Sequence, residues 1–502
     1  MDMSAPLKAD MEAKGIDLAL TLRILDDINS GRYDALKPVA AVGVPPVDGR
    51  AVLDAGSSLR IELPAATARE RLDALGIPLG DSGAAEAPGR ALAFDREALR
   101  VLGLRLLDRA AYGVLNGGSA TSYADSKRNA ALGADAFEAY RPGFERLAPL
   151  CEGVPKGASP AWLDADGHPG ESFLALKARA ALLLATVRRA RFGAPARPVL
   201  PLFQMSSVGT DAALAEHYRS WREHPWIAPL ARAEGVDPAE VRTGVQPLIA
   251  AFTHSSEGRP RRIFDKAWGK PDTALALPGG HGQSFHVLAD VYRGLLADGY
   301  KWAWLGNVDN LGYVPDPAEL AAFALSGAPA AFEFARRTPV DVKGGILVET
   351  AGNGRTIADI GPAISFDRVL ELERSGARVL FNCATGLFDL ETLVPRLDEL
   401  ARELPVRLSD QDKDSGRYSQ AEQVTWEVAA LMDGFVGFAV DKYERFIAAK
   451  LLLETLMSSG AEPARPLPPG IADTARLLAA GQKRLMETVY GLRLENQRWQ
   501  PR

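Results

Sequence analysis

The chain has 502 residues, more than one ordinary domain needs, and its 47% hydrophobic and 24% charged content suits a soluble globular protein with a large core. With 58 basic against 64 acidic residues the formal charge is −6, which argues against nucleic-acid or membrane-surface binding and requires any phosphate site to be local. Only two cysteines occur, Cys151 and Cys383, which excludes a disulfide framework or a cysteine-based zinc cluster. The N-terminus carries no basic-then-apolar leader and no apolar run approaches about 18 residues, so a cytoplasmic location is expected.

Residues 1–98 alternate helical and loop patterns: Leu18, Leu20, Leu22, Ile24 and Leu25 lie in one amphipathic segment and Ala65–Leu75 in another. Clusters of Pro and Gly at Pro38–Gly49 and Ile77–Gly89 punctuate them, and a mainly helical region is expected. From residue 99 to 450 short apolar runs alternate with helical stretches. The runs are Tyr112–Leu115, Pro198–Phe203, Trp302–Leu305, Ala330–Phe334, Gly345–Val348, Arg378–Phe381 and Phe435–Val440; the helices include Ser172–Arg191 and Gln283–Leu296. This alternation predicts an α/β catalytic domain with a mostly parallel central sheet flanked by helices. Residues 451–502, with Leu451–Met457 and Thr474–Leu492 separated by Pro-rich sequence, predict a helical tail.

In such sheets ligands bind beyond the carboxyl ends of the strands. After Tyr112–Leu115 comes Asn116-Gly117-Gly118-Ser119-Ala120-Thr121, where two glycines allow close backbone approach to phosphate, followed by Lys127 and Arg128. After the next strand Thr210 or Asp211 caps a helix. Pro278-Gly-Gly-His281-Gly flanks a histidine with glycines, and Asn307-Val-Asp309-Asn-Leu-Gly312 places a carboxylate where a strand ends, suited either to Mg²⁺ or to a turn. Asp341-Val-Lys343-Gly-Gly345 presents an ammonium or enters a hairpin, Phe381-Asn382 ends in an amide, and on spacing alone Arg445 and Lys450 read as a solvated helix face.

Taken together and in this order, the segments resemble the family of UTP–glucose-1-phosphate uridylyltransferases and their UDP-sugar pyrophosphorylase relatives, over roughly residues 110 to 455. The resemblance implies a Rossmann-like nucleotidyltransferase fold and Mg²⁺-dependent uridylyl transfer from UTP to a hexose 1-phosphate, glucose 1-phosphate first, with release of pyrophosphate. It implies that Leu115, Asn116, Gly117, Gly118, Thr121 and Gly280 cradle the nucleotide, with His254 at the base. It further implies His281, Asn307 and Asn382 at the sugar phosphate, Asp309 on Mg²⁺, and Lys450, Lys127 and Lys343 as the cations of transfer.

The family's loop reads Gly-Gly-Leu-Gly-Thr with a lysine eight residues beyond the threonine. Here Ser119 and Ala120 replace Leu-Gly, and Asn129 stands at the lysine position, two residues from Lys127. His254 stands where the family has a base-reading glutamine, with Gln246 as the alternative. Other sugar 1-phosphates, such as N-acetylglucosamine or galactose 1-phosphate, and a catalytically weak UDP-sugar sensor are the competing readings. A dinucleotide-binding dehydrogenase is disfavoured because the loop lacks Gly-x-Gly-x-x-Gly.

Overall fold

The computed structural model describes residues 3–33, 39–118, 123–338, 341–352 and 354–502. Its centre is an 11-stranded sheet. In chain order the strands used below are β1 (Val52–Asp54), β2 (Ala110–Leu115), β3 (Leu202–Ser207), β4 (Arg242–Gln246), β5 (Trp302–Asn307) and β6 (Ala330–Arg336). They continue as β7 (Gly345–Thr350), β8 (Arg355–Asp359), β9 (Leu380–Asp389), β10 (Val406–Lys413), β11 (Gly416–Gln423) and β12 (Val436–Val440). The main path runs β1-β12-β6-β9-β5-β2-β3-β4. Every neighbouring pair on it is parallel except the two made by β9, which runs against both β6 and β5.

Residues of the central strands alternate between two apolar cores. Tyr112, Val114, Trp302 and Trp304 pack on one face, while Ala111, Leu115, Ala303 and Leu305 pack on the other. A sheet covered on both faces needs continuous apolar runs, and those runs are what made the strands visible in the sequence. Helix α1 (Arg96–Leu106) and helix α4 (Pro317–Ser326) cross so closely that a Cβ on Gly103 would sit 1.6 Å from the Pro317 carbonyl oxygen. Between them in the chain lie α2 (Ala134–Cys151) and α3 (Phe173–Phe192), the latter capped by Ser172. The helices α5 (Leu452–Ser458) and α6 (Pro469–Thr488) follow the last sheet strand.

Two expectations need correction. The first 98 residues are less helical than their periodicity suggests: Arg60–Pro64, Ala85–Ala87 and Ala91–Asp95 form a three-stranded antiparallel sheet, and β1 joins the central sheet beside β12. Strands this short leave little period-two signal. The tail does not end as a helix either: Leu492–Glu495 and Arg498–Pro501 form an antiparallel hairpin. Its turn residues, Asn496 and Gln497, have φ of 47° and 66°. Such a turn is usually announced by Asn-Gly, and Gln in place of Gly hid it.

Candidate active site

The carboxyl ends of β2, β3, β4 and β5 meet at one edge of the sheet. Leu115 pairs with Met205 and with Asn307, and Ser207 pairs with Gln246, so their loops leave side by side. Because β9 is reversed, its first residues reach the same edge, with Asn382 opposite Phe334.

The glycine loop leaves β2 from buried Leu115. Buried Asn116 donates through Nδ2 to Gln204 Oε1 at 3.1 Å and accepts the Gly157 N–H on Oδ1 at 3.1 Å. This side chain is therefore committed to structure: it fastens the loop to the Pro155-Lys156-Gly157 turn, whose Lys156 N–H also donates to the Gly118 carbonyl at 3.1 Å. A Cβ on Gly117 would lie 3.2 Å from Gln246 Oε1 and 3.3 Å from the Ser206 carbonyl oxygen, whereas Gly118 faces open space. Thr121, with Ser119 and Ala120, lies outside the described residues.

That turn supplies a cation which the sequence reading passed over. The Lys156 ammonium is ion-paired with Asp309 and lies 5.1 Å from the centre of the Tyr123 ring. Both partners are largely buried, with 16% and 12% of their side chains exposed. Lys127 instead stands exposed on the first turn of the helix Ser126–Leu132, with no ion-pair partner among the described residues. Asn129, at the expected lysine position, is buried and holds the carbonyls of Tyr123 and Asp125. The Pro155-Lys156 pair was hidden because Ser126–Leu132 and α2 intervene between it and the glycines.

The second loop is Pro278–Gln283. Gly280 has φ of +82°, and a Cβ there would lie 2.4 Å from the Gln423 carbonyl oxygen. Gln246 Nε2 donates to the Gly280 carbonyl at 2.7 Å and to Gln283 Oε1 at 2.9 Å. Gln246 thus sits between both glycine loops. His254 does not: its ring holds Ser256, and Nε2 faces Asp410 of β10 at 3.7 Å.

His281 accepts the Thr425 N–H on Nδ1 at 3.1 Å, while Thr425 Oγ1 donates to the His281 carbonyl at 2.7 Å. This assigns the ring proton to Nε2. Burial, and then the charge of Lys450, push the imidazole pKa down to about 4. His281 is therefore neutral near pH 7 and offers Nε2–H as a donor. Between the unfolded value of 6.5 and the folded value of about 4, the unfolded chain binds the extra proton, so stability should fall as pH drops through that window. His281→Gln should flatten that part of the acid slope in urea unfolding. An unchanged slope would assign it to other groups.

Asp309 and Lys450 are brought together by backbone pairing. Ala449 N–H donates to the Asp309 carbonyl at 3.1 Å and Leu311 N–H to the Ile447 carbonyl at 2.9 Å. A Cβ on Gly312 would lie 2.3 Å from the Arg445 carbonyl carbon, which is why this segment ends in glycine. Arg445 is not solvated, contrary to its sequence context: its guanidinium is ion-paired with Glu333 and lies 3.6 Å from Glu319. Fully buried Lys177 donates to the carbonyls of Asn310 and Tyr313, with its ammonium pushed well below the usual range by burial and then by Arg445. These groups clamp the Asp309 loop from beneath.

A cavity of about 240 Å³ opens among these segments, lined by His281, Asn307, Asp309, Asn382 and Lys450, and further by Asp359, Phe381, Arg407, Trp426 and Glu427. Lys450 makes no ion pair among the described residues and is free to meet an anion. Gly344 and Gly345 line the cavity, but exposed Lys343 does not. Asp341 of the same segment is held by Thr338 N–H at 2.8 Å and by Lys442. A larger cavity of about 370 Å³ opens at the amino ends of β3 and β4, near Arg197, Arg242 and Tyr300, away from these groups.

Among the described residues no three His, Cys, Asp or Glu side chains converge as a metal cage. Asp309 gives Oδ2 to Lys156 and keeps Oδ1 unclaimed by the described residues. That single acid fits a hard cation shared with phosphate oxygens, not one held by protein alone. No helix among the described residues is long and apolar enough to cross a membrane.

Residues 263–461 match the family model described as UTP–glucose-1-phosphate uridylyltransferase. A probable UTP–glucose-1-phosphate uridylyltransferase of Schizosaccharomyces pombe is 36% identical over 172 residues, 32% of this chain and 29% of that protein, so the chain spans under a third of that relative's length. UTP–glucose-1-phosphate uridylyltransferase 2 of Dictyostelium discoideum is 30% identical over 105 residues, 20% of this chain and 21% of that protein. Among solved structures, a UDP-glucose pyrophosphorylase from Leishmania major superposes with a TM-score of 0.56 at 17% identity, over 91% of this chain and 79% of that one. The uridine diphosphate N-acetylglucosamine pyrophosphorylase from Trypanosoma brucei gives 0.59 at 16% identity, over 95% and 79%. At these identities the structural likeness establishes the fold.

Proposed function

We propose that the whole chain, whose residues 263–461 match the UTP–glucose-1-phosphate uridylyltransferase family model, transfers a uridylyl group from UTP to a hexose 1-phosphate, glucose 1-phosphate first. A phosphate oxygen of the sugar 1-phosphate attacks the α-phosphorus in line. The new O–P bond forms as the bond to the β-phosphate oxygen breaks, and pyrophosphate leaves with the electron pair. The attacking phosphate is already ionised near pH 7, so catalysis reduces to positioning and charge neutralisation.

The observation that carries this reading is the convergence of Lys156, Asp309, Lys450 and neutral His281 at one sheet edge, with no nucleophile–base pair among them. Gly117 and Gly118 would present backbone to the triphosphate, and Gln246, in place of His254, would read the base. His281 would donate from Nε2 to a phosphate oxygen, while Asn307 and Asn382 would meet sugar hydroxyls. Lys156 and Lys450, replacing Lys127 and Lys343 in this role, would neutralise the charge that builds on the phosphates. Mg²⁺, held by Asp309 together with phosphate oxygens, would add further charge neutralisation. A UDP-sugar sensor has no need for two such lysines around a carboxylate.

The test is pyrophosphate release from the purified protein with Mg²⁺, offered a panel of nucleoside triphosphates and sugar 1-phosphates. UTP with a hexose 1-phosphate should give release. Silence with every pair would remove the enzyme reading, and release with dTTP or GTP but not UTP would overturn the uridine assignment.

A further inference from the structure

Lys450 lines the cavity but has nothing holding its side chain: it is exposed and makes no ion pair among the described residues. Its reach is therefore set by the main chain that carries it, and that main chain is fastened on both sides. Before it, Ala449 N–H donates to the Asp309 carbonyl at 3.1 Å. After it, three successive N–H groups each meet an acceptor. Leu451 N–H donates to Glu454 Oε2 at 2.8 Å, Leu452 N–H to the Tyr123 carbonyl at 3.0 Å, and Leu453 N–H to Asn129 Oδ1 at 2.8 Å. The first N–H groups of a helix find no acceptor within its backbone, so acceptors brought from elsewhere decide where α5 begins. Two of these three come from the segment that follows the glycine loop, with 324 positions separating Asn129 from Leu453.

Asn129 stands at the centre of this junction and is fully buried. Its Nδ2 donates to the Tyr123 and Asp125 carbonyls, each at 2.8 Å, while Oδ1 accepts from α5. A lysine in its place could donate to the two carbonyls but could not accept the Leu453 N–H; the amide does both. Tyr123, held by that bond, has its ring centre 5.1 Å from the Lys156 ammonium and its hydroxyl 2.5 Å from Thr455 Oγ1 of α5. One amide thus joins the segment that seats Lys156 to the helix whose start fixes Lys450. We propose that Asn129 is a positioning residue for the transfer, setting the spacing of the Lys156 and Lys450 ammonium groups so that both meet the phosphates of one substrate pair. This rests on the transfer reading above and adds to it a residue that touches no substrate. A displacement of about 1 Å in such a cation is enough to slow a reaction by about 10²-fold.

A double-mutant cycle separates positioning from a purely structural cap. Asn129→Ala should lower kcat for pyrophosphate release by about 10–10²-fold, with the KM values for UTP and sugar 1-phosphate moving by less than about threefold. In the Lys450→Met background, itself slowed by about 10²–10³-fold but measurable over long incubations, the same substitution should cost less than about threefold. No ammonium is then left there to misplace. Tyr123→Phe is the milder variant should Asn129→Ala fail to fold: it keeps the ring beside Lys156 and removes only the hydroxyl that meets Thr455. It should lower kcat by about 3–10-fold, and that loss too should vanish in the Lys450→Met background. A loss repeated in full without Lys450, or a folded Asn129→Ala variant with near-normal kcat, would overturn the proposal while leaving the transfer reading intact. No turnover by the unaltered protein with any pair would remove both.

Discussion

Lys156→Met should lower the rate of pyrophosphate release by about 10²–10³-fold, whereas Lys127→Met should change it by less than about threefold. The contrast follows from placement. Lys156 is fixed beside Asp309 by an ion pair, by the Tyr123 ring and by a backbone hydrogen bond to Gly118, so it reaches both the glycine loop and the carboxylate with little freedom to lose. A preorganised cation at developing charge is worth far more than a mobile one on a solvated helix turn. The losses should fall mainly on kcat. Thermal unfolding of both variants separates this from instability, since removing Lys156 also strands a largely buried carboxylate. A Lys127 variant as damaged as the Lys156 variant would return the role to the helix turn.

Asp309→Asn should silence turnover by at least about 10³-fold with the fold retained. The amide keeps an acceptor for Lys156 and leaves the backbone pairing to Ala449 untouched, so the loss is of the carboxylate charge that Mg²⁺ and the Lys156 ammonium would both meet. Raising Mg²⁺ should recover little. A variant with near-normal turnover would take Asp309 out of the chemistry.

The strands at the site were legible because both faces of the sheet are covered: Trp302–Asn307 and Ala110–Leu115 read as apolar runs ending in chemistry-bearing loops. Asp309 and His281 stood out for the same reason, lying just beyond a sheet strand or among glycines, whereas Lys450 read on spacing as a solvated helix face and took its role only from the family resemblance. What escaped detection depends on partners distant in sequence. Lys156 is separated from its glycine loop by Ser126–Leu132 and α2, so local spacing pointed to Lys127 instead. Gln246 gains meaning only from Gly280 and Gln283, which come from another segment. Arg445 looked solvated because the carboxylates that bury it, Glu319 and Glu333, lie on α4 and β6. His254 matched a motif position, but its ring is occupied by Ser256 and Asp410.

The pairing of Arg445 with Glu319 and Glu333 also orders events in time. On a ribosome, α4 and β6 emerge long before residue 445, and β1 before its neighbour β12. Until residue 445 appears, the two acids destined for the interior have no counter-ion, and burying either alone in its charged form is strongly unfavourable. The nascent chain must therefore hold this part of the sheet open, and a message truncated ahead of residue 445 yields a chain with an exposed, uncompleted edge that chaperones and proteases would meet first.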